Sequence, residues 1–276
     1  MHEERALSFA CEGQQLVGIV SLPFPPATRG VLIVVGGPQY RAGSHRQFTQ
    51  LARRLAAGGV AAMRFDYRGM GDSEGDLRSF ETVNSDLRAA LDAFFAAVPS
   101  LREVALCGLC DGASAAVLYA ADDTRVRGLV LLNPWARTEQ GAARATLQHY
   151  YSARLASGDF WRKLLSGRFK AGAALSSVLG LLRHARSTPA QEAGDSLPDR
   201  LYGRLSVFRG GVLVVLSGAD LTAQEFAGLA QSSALWRTLL ADSRVTRYEL
   251  PGADHTFSQR AWQDEAIARI CEWMRA

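Results

Sequence analysis

Apolar positions along the chain fall into two periods, and their alternation predicts the fold class. Ala6 to Ala10 and Leu16 to Leu22 flank Glu12-Gly13 as two strands of a β-hairpin, which the prolines at 23, 25 and 26 end. Val31 to Val35 is apolar at every position and rich in β-branched residues, the mark of a strand covered on both faces. Phe48 to Ala57 has helical spacing and stops at Gly58-Gly59. A strand over Val60 to Phe65, a helix over Phe80 to Val98, and strands over Val104 to Cys107 and Gly128 to Leu132 follow. The last of these closes at Asn133-Pro134. Strands over Val212 to Leu216 and Val245 to Leu250, with helices near Ala223 to Leu229 and from Gln259, complete the series. Such alternation predicts an α/β fold, a mostly parallel sheet with helices on both faces.

The rhythm breaks between Trp135 and about Phe208. Gln148 to Leu155, Phe160 to Leu165 and Ala171 to His184 have helical spacing, residues 186–199 are polar and loop-like, and no strand is evident. The chain therefore divides into an N-terminal core part at 1–134, a helical lid insertion at 135–208 and a C-terminal core part at 209–276.

One position organises the candidate chemistry. Val104-Ala105-Leu106-Cys107 runs into Gly108-Leu109-Cys110-Asp111-Gly112, and a helix of small residues follows. A strand turning this sharply into a helix strains its central residue and crowds its neighbours, so glycines at 108 and 112 let the backbones pass. Cys110 is then held at a helix N-terminus, where N–H groups and the helix dipole favour an anion. Parallel sheets place their sites at the carboxyl ends of strands. Two such ends carry the complementary groups: Ser217-Gly218-Ala219-Asp220 after one strand and Pro251-Gly252-Ala253-Asp254-His255 after another. Cys110, Asp220 and His255 thus follow in the order nucleophile, acid, base. His255 would take and return the proton, and Asp220 would fix its tautomer. Asp254, the immediate neighbour of His255, is expected to orient the loop instead. An oxyanion hole needs two backbone donors. Asp111 N–H is one, and in Gly36-Gly37-Pro38-Gln39 the proline has no N–H, which points to Gln39 for the other. Gly37, Tyr40, Ser44 and His45 line the same region as candidate substrate contacts.

Bland readings compete with these. Buried cysteines are mostly inert, and Cys107 reads as core. Arg68 and Asp72 read as braces of a turn. His149 and His184, in the insertion, receive no role.

The segments Val31 to Gly37, Arg64-Phe65-Asp66-Tyr67-Arg68-Gly69-Met70-Gly71-Asp72-Ser73 and the Cys110 turn together resemble the α/β-hydrolases over nearly the whole chain. Three stretches are similar, more narrowly, to the first hydrolase family associated with the exosortase A system: Gly36 to Phe48, Gly108 to Ala115, and Leu216 to Phe226. That resemblance implies a setting beside exopolysaccharide and protein-sorting genes and supplies no substrate. Two departures from the wider superfamily stand out: Cys110 replaces serine, and Gly36-Gly37 stands where His-Gly is common. Dienelactone hydrolases are similar in carrying cysteine at this turn.

The leading expectation is an ester or thioester hydrolase working through an acyl-enzyme. An acyltransferase with the same triad and a non-catalytic binding or accessory protein are the alternatives. The rest of the composition narrows the partners. The net charge of +4 over 276 residues comes from scattered arginines and argues against nucleic acid. Between Ala136 and Arg209, however, twelve Lys and Arg stand against five Asp and Glu, which suits an anionic or carrier-linked acyl substrate. The four cysteines form no zinc pattern, so neither metal nor cofactor is expected. Met1 to Arg5 lacks a signal-peptide design and no apolar run is long enough to span a bilayer, so a cytoplasmic protein is expected.

Overall fold

The computed structural model describes residues 2–37, 39–136 and 196–276. Its hairpin pairs β1 (His2–Cys11) with β2 (Gln14–Pro23) through Glu12 and Gly13, both at positive φ. Two positive φ values match the twist of the flanking strands, which is why glycine is favoured there. The other strands are β3 (Arg29–Val34), β4 (Ala61–Asp66), β5 (Glu103–Leu109), β6 (Val126–Leu132), β7 (Gly211–Ser217) and β8 (Val245–Leu250). All eight form one sheet in the order β1-β2-β4-β3-β5-β6-β7-β8. Pairing is parallel from β4 to β8 and antiparallel where β2 meets β1 and β4.

Among the described residues the helices are α1 (Gln47–Ala57), α2 (Asn84–Ala97), α3 (Asp111–Ala120), α4 (Leu197–Val207), α5 (Leu221–Ser232), α6 (Ala234–Leu240) and α7 (Arg260–Arg275). They cover both faces. Val31, Ile33 and Val35 point into a core with Phe48 and Leu51 of α1 and Ile267 and Ile270 of α7. Their neighbours Leu32 and Val34 point the other way, toward Leu87 and Phe94 of α2, Ala113 of α3, Leu201 of α4, Phe226 of α5 and Trp236 of α6. The period of two in β3 therefore feeds two cores, and this explains why the strand is apolar throughout. The α/β-hydrolase architecture expected from the sequence is the one observed.

Two differences in detail have local causes. The helix expected from Phe80 begins at Asn84, because Ser79 to Thr82 form a turn in which Thr82 N–H donates to the Ser79 carbonyl (2.9 Å). Helix α4 was not foreseen. Ser196 caps it by accepting from Asp199 N–H, Pro198 lies in its first turn, and Leu201 and Leu205 bury in the core shared with α2 and α3. The helices expected over Gln148 to Leu155, Phe160 to Leu165 and Ala171 to His184 lie outside the described residues, as does most of the insertion at 135–208. Among the described residues no helix is long and apolar enough to cross a membrane.

Candidate active site

Because β3 to β8 run parallel, the loops that follow them gather at one edge of the sheet, and there the sequence places its reactive groups. Cys110 joins β5 to α3 with φ 59° and ψ −126°. A non-glycine residue at such a φ is strained, and it persists only where its surroundings hold it. Its N–H donates to the Leu132 carbonyl (2.9 Å), and its own carbonyl accepts from Ala113 N–H (3.1 Å) and Trp135 N–H (3.1 Å). Ser114 Oγ, in the first turn of α3, donates to the Trp135 carbonyl. The turn is thus tied on both sides to the segment after β6.

Its glycines are there for space. A Cβ on Gly108 would lie 2.3 Å from the Gly112 carbonyl carbon, and one on Gly112 would lie 2.6 Å from the Val34 oxygen. No side chain fits at either position without moving backbone.

His255, in the loop after β8, faces Asp220 across Nδ1···Oδ2 of 2.8 Å. Its other side hydrogen-bonds Cys110, and together these partners raise its pKa to about 10, Asp220 contributing most and burial opposing. With Nδ1 turned to Asp220, Nε2 is the nitrogen left for the thiol. The three side chains converge as a chain of contacts from Asp220 through His255 to Cys110.

Asp220 has two tasks. As the N-cap of α5 its carboxylate accepts from Thr222 N–H (3.3 Å) and Ala223 N–H (3.1 Å) while also holding His255. These bonds satisfy two of the N–H groups that open α5. Asp254 closes its own loop, accepting from Thr256 N–H (3.2 Å), Ser258 N–H (2.9 Å) and Ser258 Oγ.

The loop after β3 arrives beside Asp111. Burial raises the pKa of the Asp111 carboxyl above the usual range, and the neighbouring N–H groups of Gly37, Gly112 and Asp111 itself oppose that shift without cancelling it. The loop donor brought to this point is therefore Gly37. Gln39 contributes a different feature: its Oε1 is buried with no hydrogen-bond partner among the described residues. Tyr40 is half exposed, with the Arg41 guanidinium 5.4 Å over its ring. Ser44 and His45 form a short 3₁₀ turn before α1. No hydrogen bond among the described residues joins Tyr40 or Ser44 to Cys110, His255 or Asp220.

Two buried polar residues that sequence reasoning passed over hold these loops. Asn133, fully buried at φ 44°, donates through Nδ2 to the His255 carbonyl (2.9 Å) and to Ser217 Oγ (2.9 Å), while its Oδ1 accepts from Ser217 N–H (2.8 Å). One side chain thus ties the ends of β6 and β7 to the loop that carries His255. The signal was available as a lone polar residue closing the apolar run Gly128 to Leu132. Asp66, fully buried at the end of β4, accepts from Arg41 N–H (2.6 Å) and Asp72 N–H (3.2 Å) and pairs with the Arg41 guanidinium, which reaches Asp72 as well. The loop after β3 is thereby pinned to the loop after β4. Arg68 is likewise a brace: its N–H and guanidinium bond Asp86 in the first turn of α2 (2.8–3.0 Å). Cys107 is fully buried in the sheet, which pushes its thiol up to about 12 and leaves it inert. Among the described residues no three His, Cys, Asp or Glu side chains gather as a metal site.

Residues 31–270 match the alpha/beta hydrolase family. No curated protein matches the chain. Among solved structures, the Pyrococcus furiosus esterase Pf2001 aligns at a TM-score of 0.67 with 14% identity, over 99% of this chain and 91% of that one. The Butyrivibrio proteoclasticus protein Est1E, solved with ferulic acid bound, aligns at 0.65 with 17% identity over 98% of both chains. A dienelactone hydrolase from Anabaena variabilis aligns at 0.63 with 17% identity, over 99% of this chain and 97% of that one. At such identities the likeness speaks to the fold and to nothing finer.

Proposed function

The chain belongs to the alpha/beta hydrolase family, and on that premise we propose that it is a cysteine-dependent hydrolase of an ester or thioester. The observation that carries this reading is the contact chain Asp220–His255–Cys110, anchored by the 2.8 Å bond to His255 Nδ1 and ending on a thiol at a strained φ of 59°. His255, made basic by Asp220, takes the thiol proton at Nε2 and keeps the thiolate beside an imidazolium. The sulfur attacks the acyl carbon, and the carbonyl oxygen becomes an oxyanion that receives the N–H of Asp111 and a second N–H from the loop after β3. Gly37 is the donor supported by its approach to Asp111, with Gln39 the alternative in the same loop. The oxyanion collapses, the bond to the leaving group breaks, and His255 Nε2–H protonates that group. A thioester remains on Cys110. His255, again neutral, accepts a proton from water as it attacks this thioester, and the acid leaves with the thiol restored. Gly37, Tyr40, Ser44 and His45 border the entry for the acyl group.

The resemblance of Gly36 to Phe48, Gly108 to Ala115 and Leu216 to Phe226 to the exosortase-associated hydrolases supports a role in bacterial exopolysaccharide or envelope biosynthesis, on the cytoplasmic side, as part of this proposal. An acyl substrate with an anionic or carrier-linked group fits the positive surplus of the sequence.

Intact-protein mass spectrometry after brief exposure to short-chain aryl esters and acyl-CoA thioesters tests the reading. A single acyl adduct on Cys110, absent from Cys110→Ala and formed slowly in His255→Ala, is expected. Loss of the adduct in buffer alone marks a hydrolase, whereas loss only on adding an alcohol or amine acceptor marks an acyltransferase. No adduct with any probe, and a Cys110 inert to iodoacetamide at neutral pH, refutes both and leaves a binding protein on a hydrolase fold.

A further inference from the structure

The Asp111 side chain opens α3, but it does not lie out over the helix end as a capping carboxylate does. It folds back over Gly36. A Cβ on that glycine would meet Asp111 Oδ1 at 2.2 Å, with the Leu109 carbonyl oxygen at 2.5 Å and the Gly112 nitrogen at 2.6 Å. The carboxylate therefore fills a recess between the loops after β3 and β5 that exists only because residue 36 has no side chain. Oδ1 is buried there without an aligned hydrogen-bond partner among the described residues. Around it stand the N–H groups of Gly37, Gly112 and Asp111. Two of these, from Gly37 and Asp111, are the donors that the acyl oxygen requires.

An anion beside an oxyanion hole opposes the second one that must form there. We propose that the ionised Asp111 carboxylate is a built-in negative charge beside the oxyanion donors that holds acylation back by repelling the developing oxyanion, and that gaining a proton lifts that repulsion. The neutral acid repels no oxyanion, and its O–H adds a donor beside the backbone pair. The inference rests on the reading of Cys110 as an acyl-enzyme nucleophile.

The surroundings agree with a group whose proton is in play. Burial penalises the carboxylate, and the three backbone donors oppose that penalty without cancelling it. From the loop after β8, the charge of His255 favours the ionised form. Beyond the end of β4, burial pushes the Tyr67 phenol up to about 12, with the Asp111 and Asp86 carboxylates adding to the shift. Cys110 is its chain neighbour, so an ionised Asp111 also sets a negative charge beside a sulfur that must become one.

Two reactions of the same thiol separate the hole from the nucleophile. Alkylation by iodoacetamide passes through no oxyanion, whereas acylation by an aryl ester does. Both rates on Cys110 would be followed by peptide mass spectrometry from pH 5 to pH 9 in the wild type, Asp111→Asn and Asp111→Ala. Asparagine keeps the shape without the charge, and alanine empties the recess; circular dichroism would confirm that both fold. In the wild type the ratio of acylation to alkylation should fall as pH rises. In both variants it should be flat and, at pH 8, at least about tenfold higher, a fraction of what one oxyanion donor is worth. Equal ratios and equal pH profiles in all three proteins would overturn the repulsion and leave the nucleophile standing, and a lower ratio in the variants would do the same. Alkylation of Cys110 with no acylation in any of the three would overturn the acyl-enzyme reading and this inference with it.

Discussion

Replacing Asn133 separates its hold on the His255 loop from its other contributions to the fold. Its side chain makes three hydrogen bonds in a fully buried position, to Ser217 N–H, Ser217 Oγ and the His255 carbonyl. The Ser217 hydroxyl can rotate to another partner, but the two main-chain groups cannot. Stranding each of them costs about 1–3 kcal/mol, so Asn133→Gly should lose about 2–6 kcal/mol of stability. Residue 133 also sits at φ 44°. Alanine is strained there by about 1–2 kcal/mol where glycine is not, so Asn133→Ala should be less stable than Asn133→Gly by about that amount. Against a domain stability of about 5–15 kcal/mol, Asn133→Gly keeps the wider margin for folding and Asn133→Ala stands closer to the limit. Function should suffer alike in the two, because each removes the donor that fixes the His255 carbonyl. A shift of about 1 Å in a catalytic group can cost ~100-fold. Urea unfolding followed by tryptophan fluorescence reads the stability, and iodoacetamide alkylation of Cys110 at pH 7, resolved from the other cysteines by peptide mass, reads the site. Losses below about 1 kcal/mol in both variants, with alkylation unchanged, would refute the view that Asn133 locks the histidine loop.

Further outcomes follow from the same geometry. Asp220→Asn removes the largest cause of the raised His255 pKa, and alkylation of Cys110 at pH 7 should slow by at least about tenfold, while the amide oxygen still caps α5; an unchanged rate would show that the thiol needs no help from this pair. The same shift links stability to pH. His255 is raised from 6.5 to about 10, so its stabilising contribution is whole below about pH 6.5 and fades as pH rises through about 10. The melting temperature of the wild type should therefore drop more across that window than that of His255→Gln, and parallel pH curves would contradict the linkage. Gly112→Ala forces a Cβ to within 2.6 Å of the Val34 oxygen and should cost about 3 kcal/mol or more. Gly203→Ala lies inside α4 with open space around it and should gain about 0.5–1 kcal/mol; chemical denaturation of the two variants checks the contrast. Arg68→Met leaves the buried Asp86 carboxylate without its guanidinium and should lose about 3–5 kcal/mol in the same assay.

The period-two and period-3.6 patterns were enough to read the eight strands, because strands covered on both faces must be apolar throughout and the helices beside them must carry a stripe. Gly108 and Gly112 were legible for a similar reason: the turn at Cys110 has no room for a Cβ, whatever the rest of the chain does. The order of Cys110, Asp220 and His255 could be read as well, since each follows a strand and parallel strands bring such ends together. Helix α4 escaped because its buried residues, Leu201 and Leu205, make a stripe only two turns long between polar positions. Its partners in the core lie far away in the chain. Asn133, Asp66 and the Asp111 carboxylate could not be read from their own neighbourhoods for the same reason. A single polar residue at a strand end has the same local pattern whether it meets water or ties three loops together. What it does depends on groups 25 to 122 positions away, as with Arg41 on Asp66 and His255 on Asn133. Sequence by itself determined which residues must lie in strands, which turn must be glycine-lined and which side chains end beside the sheet, because those are properties of local sterics and hydrophobic period. Only the tertiary structure decided that the Gly36-Gly37 loop lies beside Asp111, that Asn133 holds the histidine loop and that the Asp111 carboxylate lies over Gly36, because each rests on the distance between segments that the chain joins only by folding.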